Sequence, residues 1–117
     1  MANILIRFTT SPYGSSDAPD GLDFAIGATN YGHQVSLVFE GNGVWQLINQ
    51  SPQDKGVKNH SKRLKSLTFF DIDACYYCEE DRLNLGIEKD KLSGIATQAN
   101  KDHIYTLINN SDHVVTF

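Results

Sequence analysis

Two cysteines stand close together in the second half of the chain, as Cys75 and Cys78 in a C-x-x-C arrangement. In a reducing compartment such a pair is more typical of redox chemistry, sulfur handling or metal binding than of a structural disulfide. Side chains alternate along a strand, so the two thiols are not expected to share a face. We therefore expect Cys75 in the core and Cys78 in a crevice at the sheet edge, with two chemically silent cysteines as the alternative.

Cys78 lies at the junction between a predicted strand and the predicted helix that follows it. A thiol at a helix N-terminus gains acidity from the helix dipole, which a persulfide carrier needs. The next three residues, Glu79, Glu80 and Asp81, are acidic and disfavour a thiolate. Cys78 is thus the candidate persulfide site, with an unreactive thiol as the alternative. Its pKa is not expected to fall well below about 8.5.

A metal site is not predicted. A structural zinc site needs four ligands, and only one C-x-x-C half is present. The four histidines are scattered along the chain, which favours ordinary surface or packing roles for them.

Two loops follow predicted strands and could form a ligand crevice, because open α/β sheets bind ligands at the carboxyl ends of their strands. The candidate binding residues are Ser11, Pro12, Tyr13, Gly14 and Ser15 in the first loop and Gly41 and Gly43 in the second. The first loop lacks the G-x-x-x-x-G-K-[ST] pattern, and Gln46 replaces the third glycine of G-x-G-x-x-G in the second. Plain turns are the favoured alternative, and no cofactor is predicted.

The elements that must position these residues alternate between short apolar runs and helical patterns. Strands are predicted at residues 3–9, 34–39, 72–77, 94–98 and 113–117. One helix is predicted to begin at Asp20, and further helices are predicted over residues 43–48, 62–70, 79–85 and 102–108. This alternation predicts one three-layer α/β domain over residues 1–117, with a mostly parallel sheet of about five strands and helices on both faces.

The net charge and the distribution of hydrophobic residues disfavour two classes of function, tight nucleic-acid binding and membrane spanning. The net charge is −4, which disfavours direct, tight nucleic-acid binding. Hydrophobic residues make up 40% of the chain, and no apolar run approaches the ~20 residues of a membrane helix. The amino terminus resembles no signal peptide, so a cytoplasmic location is expected.

Four blocks together resemble the TusC/DsrF branch of the DsrEFH-like family across nearly the whole chain. The blocks are Ser11–Ser15, Asp20–Asp23, Gly43–Leu47, and Phe70–Asp73 leading to Cys75–Cys78, with Gly86 ending the following helix. Cys78 matches the position of the sulfur-bearing cysteine of that family. In the carrier subunits small apolar residues follow this cysteine, whereas acidic residues follow it here.

The resemblance implies a parallel sheet and membership of a sulfur-relay complex, a dimer of heterotrimers with TusB-like and TusD-like subunits. Such a complex passes persulfide sulfur from a TusA-like donor to a TusE-like acceptor, toward 2-thiouridine at the tRNA wobble position. The related Dsr branch serves sulfur oxidation. The resemblance assigns the sulfur-bearing cysteine to the TusD-type subunit, so this chain is expected to be a non-catalytic structural or docking subunit. The alternatives are a persulfide carrier using Cys78, a subunit of a Dsr-type sulfur-oxidation complex, and a flavodoxin-like small-ligand binder.

Assembly is also indicated by large aromatic side chains. A domain of this size cannot bury all of them, and exposed aromatics are enriched at interfaces. The predicted interface residues are Trp45, Phe69, Phe70, Tyr76 and Tyr77.

Overall fold

A computed structural model describes residues 2–13, 15–48, 60–70, 72 and 74–117, without the side chains of 60–62, 68 and 69. The strands are β1 (Asn3–Phe8), β2 (Gln34–Phe39), β3 (Ala74–Cys78), β4 (Thr97–Ala99) and β5 (His113–Thr116). The α-helices are α1 (Asp17–Asn30), α2 (His60–Lys65), α3 (Glu79–Asn84) and α4 (Lys101–Asn110). Short 3-10 helices cover Gly41–Leu47, Ser66–Phe70 and Lys89–Lys91. Within these described ranges, each helix is too short or too polar to traverse a bilayer.

The strands form one all-parallel sheet in the order β4-β3-β2-β1-β5, which confirms the predicted fold class. From β1 to β4 each connection steps in the same direction across the sheet. The connection from β4 to β5 steps back to the far side of β1. Because such crossovers are right-handed, the reversal moves α4 to the face opposite α1 and α2.

Two hydrophobic cores result, one on each face of the sheet. The larger core lies on the α1 face and joins alternate strand residues to α1, α2 and the second 3-10 helix. Phe8 and Phe39 stack there with ring centroids 5.1 Å apart. The smaller core lies on the α4 face and contains Leu5, Val38, Cys78, Ala99 and Ile104. The alternation also divides the two cysteines as predicted, since Cys75 belongs to the larger core and Cys78 to the smaller.

Several element boundaries differ from the sequence predictions. Helix α1 begins at Asp17 rather than Asp20, because Pro19 is tolerated in a first turn whose N–H groups lack helical partners anyway. The helix predicted over 62–70 is divided into α2 and a 3-10 helix. Strand β3 begins at Ala74, since the amide of Ile72 instead donates to the carbonyl of Leu67 over 3.2 Å.

Candidate functional site

Three polar side chains meet on the α4 face where neighbouring strands end. Arg7 lies opposite Val38 in the ladder between β1 and β2, and Val38 lies opposite Tyr76 in the ladder between β2 and β3. Continuing these registers by two residues places Glu40 beside Cys78, on the same face as Arg7. The carboxyl ends of the three central strands therefore present a cation, an anion and a thiol side by side.

Arg7 and Glu40 form a two-point ion pair. The Arg7 Nε donates to Glu40 Oε2 over 2.7 Å, and a terminal guanidinium nitrogen donates to Oε1 over 3.0 Å. The hydrogen bond to Glu40 is the main cause that raises the pKa of Arg7 above its ordinary value. Since both charges are satisfied by one another, the pair joins β1 to the loop after β2 and adds little net charge to the site.

These groups line a cavity of about 330 Å³ between the strand ends and α4. Its lining consists of Arg7, Glu40, Cys78, Asp81, Lys101, Ile104, Tyr105 and Ile108. The space is large enough for a small molecule or one side chain of a partner, but far too small for a folded domain. We refer to it as the Cys78 cavity.

Cys78 lines this cavity, and the residue is 1% exposed. Burial is the largest cause that raises its pKa, and the Asp81 carboxylate raises it further. The backbone N–H groups of Asp81 and Glu80 act in the opposite direction but do not reverse the shift. A protonated thiol is a poor nucleophile, so the site as built holds its sulfur in the less reactive form.

The first turn of α3 also fixes the neighbouring loop. The amide of Gly41 donates to Asp81 Oδ2 over 2.8 Å. Gly41 has a φ of +53°, a conformation that residues with a side chain rarely adopt. Gly41 therefore serves as a turn residue that holds the Asp81 carboxylate at the edge of the Cys78 cavity.

Several residues of the predicted ligand loops make contacts within the chain itself. A Cβ on Gly43 would lie 2.0 Å from the carbonyl oxygen of Phe8, so this glycine permits close contact between the second loop and β1. Pro12 is buried, and the Ser11 hydroxyl donates to the carbonyl of Tyr13 over 3.3 Å. Ser15 accepts from the amide of Asp17 over 3.3 Å. Gly14 lies outside the described residues, and the other residues predicted for the ligand loops do not belong to the lining given above for the Cys78 cavity.

The predicted interface aromatics differ in exposure. Trp45 is 37% exposed and borders a second cavity of about 450 Å³ beside Ile48 and Ile87. Phe70 and Tyr76 are half-buried, and Tyr76 packs edge-on against the His103 ring. The prediction of Tyr77 as an interface residue is wrong, because Tyr77 is only 3% exposed and belongs to the core of the α1 face. The Phe69 side chain lies outside the described residues.

Sequence reasoning missed most of the residues that line the Cys78 cavity. One signal was available, since Arg7 interrupts an otherwise apolar strand and Glu40 follows directly after the next strand. The contribution of α4 through Lys101, Tyr105 and Ile108 has no such local signal, because it depends on the reversal of the last crossover. In the part of the chain that the structure describes, no three His, Cys, Asp or Glu side chains are grouped to hold a metal ion.

Comparison with known sequences identifies one family model and several similar proteins that carry the TusC name. Residues 2–117 match the sequence model of the DsrE/DsrF-like family. A protein from Aliivibrio fischeri named "Protein TusC homolog" is 28% identical over 112 residues, which cover 94% of each chain. "Protein TusC" from Klebsiella pneumoniae is 27% identical over 89 residues, which cover 75% of each chain.

Solved structures show the same fold. The crystal structure of the ychN protein from E. coli superposes with a TM-score of 0.86, covers all of both chains and is 22% identical in sequence. A conserved protein of unknown function from Bacteroides thetaiotaomicron superposes with a TM-score of 0.69 at 12% identity, covering 97% of this chain and 94% of its own.

Proposed function

The chain belongs to the DsrE/DsrF-like family, and we propose that it works as a TusC-like subunit of a cytoplasmic sulfur-relay complex. In this proposal the complex passes persulfide sulfur from a TusA-like donor to a TusE-like acceptor, for 2-thiouridine formation at the tRNA wobble position. The supporting observation is similarity along almost the full length of a protein named as a TusC homologue. The net charge of −4 favours contact with protein partners over direct binding of tRNA.

Within the complex we assign this chain a structural or docking role rather than that of the sulfur carrier. A carrier cysteine must be accessible to two successive partners: its thiolate attacks the outer sulfur of the donor's persulfide and releases the donor's thiolate, and the persulfide that it then holds is attacked by the acceptor's thiolate. Cys78 is 1% exposed, and both burial and the Asp81 carboxylate raise the pKa of its thiol. These features favour a subunit that supports a carrier cysteine located on another chain.

The proposed partners are TusB-like and TusD-like subunits, arranged as a dimer of heterotrimers. Trp45 is the proposed contact residue, because its ring is partly exposed beside the apolar side chains of Ile48 and Ile87. Aromatic side chains of this kind often contribute strongly to interface affinity.

Co-expression with TusB-like and TusD-like proteins from the same genome, followed by size-exclusion chromatography with light scattering, tests this assignment. We expect one hetero-oligomer that contains all three chains. W45A is expected to weaken the assembly, whereas L83A, which truncates a 62% exposed side chain on α3, serves as the matched control. Elution of this chain as a monomer in the presence of both partners would contradict the proposal.

A second candidate is a persulfide carrier that uses Cys78. Its supporting observation is the Cys78 cavity, whose volume of about 330 Å³ could admit the end of a partner's cysteine side chain. A Dsr-type sulfur-oxidation complex would use the same fold with other partners. A flavodoxin-like ligand binder would be indicated by a ligand-induced rise in the melting temperature of the isolated chain.

A further inference from the structure

The three acidic residues that follow Cys78 differ in their surroundings. Glu79 forms an ion pair with Arg82 on the same helix. Glu80 is exposed and lies 3.5 Å from Lys101 Nζ. Asp81 alone of the three lines the Cys78 cavity. The sequence suggested a diffuse repulsion from three carboxylates, whereas in the structure only Asp81 of the three lines the same cavity as Cys78.

The other charges around the thiol largely cancel. The titratable or charged groups that face the cavity are Arg7 on β1, Glu40 after β2, Asp81 on α3, and Lys101 and Tyr105 on α4. Arg7 and Glu40 neutralise one another through two hydrogen bonds. Lys101 pairs with Glu80 near the surface. Among these described groups, Asp81 is the charge for which the structure shows no cationic partner.

The position of the Asp81 carboxylate is fixed from outside its own helix. Its Oδ2 accepts from the Gly41 amide over 2.8 Å, and the loop that carries this amide is joined to β1 by the Arg7–Glu40 pair. The carboxylate therefore cannot turn away into solvent without losing this hydrogen bond.

We propose that the Asp81 carboxylate, held at the Cys78 cavity by the Gly41 amide, adds to burial in disfavouring a Cys78 thiolate and so helps to keep this cavity from taking part in sulfur transfer. This inference deepens the proposed function and takes its biological meaning from it. The Asp81 carboxylate also raises the pKa of the thiol, which agrees with the geometry. Asp81 is thus a residue that restrains Cys78 rather than a catalytic group.

The test is the pH dependence of Cys78 alkylation in the isolated full-length chain. Iodoacetamide is small enough for the cavity, and mass spectrometry of the Cys78 peptide separates its signal from that of Cys75. In D81N the side-chain oxygen can still accept from Gly41 while the charge is gone. Removing one nearby charge is expected to lower the midpoint of the profile by about one pH unit.

The rate at neutral pH should rise less than the thiolate population. A midpoint lower by one unit gives about tenfold more thiolate, but a less basic thiolate is a weaker nucleophile. The two effects together predict an increase of about three- to fourfold in the alkylation rate at pH 7. D102N removes an exposed carboxylate of α4 that does not line the cavity, so its midpoint is expected to equal that of the unmodified chain.

An unchanged midpoint in D81N, or an equal shift in D102N, would overturn the inference. Should D81N fail to fold, D81S carries the same test, since its hydroxyl is also uncharged and able to accept a hydrogen bond. Loss of folding in both variants would also overturn it, because Asp81 would then be required for the folded structure at the strand ends rather than for control of the thiol. Co-purification with partner subunits decides the proposed function separately, so failure of one conclusion is distinguishable from failure of the other.

Discussion

The close contact between the second loop and β1 gives a sharp prediction for G43A. A Cβ at this position would lie 2.0 Å from the Phe8 carbonyl oxygen and 2.6 Å from its carbonyl carbon. Both atoms belong to the backbone of a strand with neighbours on each side, so neither can move aside without disturbing the sheet. Overpacking commonly costs 1–3 kcal/mol, and the rigid neighbour here indicates a loss of about 3 kcal/mol.

The matched control is G27A, in the second half of α1, where an added Cβ would meet no atom within 4 Å. Replacing a helical glycine by alanine stabilises by about 0.5–1 kcal/mol. Urea unfolding followed by circular dichroism measures both variants, and the midpoint is expected to fall for G43A and to rise for G27A. If G43A were as stable as the unmodified chain, the second loop could not lie against β1, and the geometry derived for the Cys78 cavity would be wrong.

Two further predictions concern the α4 face. Ile104 is 4% exposed and is the buried side chain of α4. In urea unfolding, I104A is therefore expected to lose about 2–4 kcal/mol of unfolding free energy. The control N109A, at an exposed position of the same helix, is expected to lose less than about 0.5 kcal/mol. Equal losses would show that α4 is not packed on the sheet as described. The second prediction follows from the raised pKa of the Cys78 thiol. The folded chain keeps the thiol proton at pH values where the unfolded chain releases it. The unfolding free energy is therefore expected to fall as the pH rises above 9.0 toward the higher pKa of the folded state. C78S lacks this proton, and its stability is expected to change less between pH of about 8.5 and 10; parallel curves for the two proteins would contradict the assignment.

The sequence predicted the three central strands well because they are compact apolar runs, whereas the strand predicted over 94–98 is the shorter and more polar Thr97–Ala99. Segments such as Gln34–Phe39 are buried on both faces, which is typical of central parallel strands, and the alternation of side chains correctly divided Cys75 from Cys78. The position of Cys78 at the end of a central strand also followed from local patterns, whereas the partners of its thiol did not.

The cavity around Cys78 depends on long-range geometry. Lys101 and Tyr105 reach it because the last crossover reverses direction, and Arg7 and Glu40 meet because two strands share a register. Nothing in the residues near Cys78 specifies either event. The predicted exposure of Tyr77 was wrong for a related reason: the alternation that places Cys78 on the α4 face directs Tyr77 into the opposite core.

The central claim is that this chain supports a sulfur relay without carrying the sulfur itself. The most direct measurement is mass spectrometry of the complex with TusB-like and TusD-like partners after exposure to a persulfide-loaded TusA-like donor. We predict an added sulfur atom on a cysteine of the TusD-like subunit and none on the Cys78 peptide. An added sulfur atom on Cys78 at a comparable level would contradict the claim and identify this chain as a carrier.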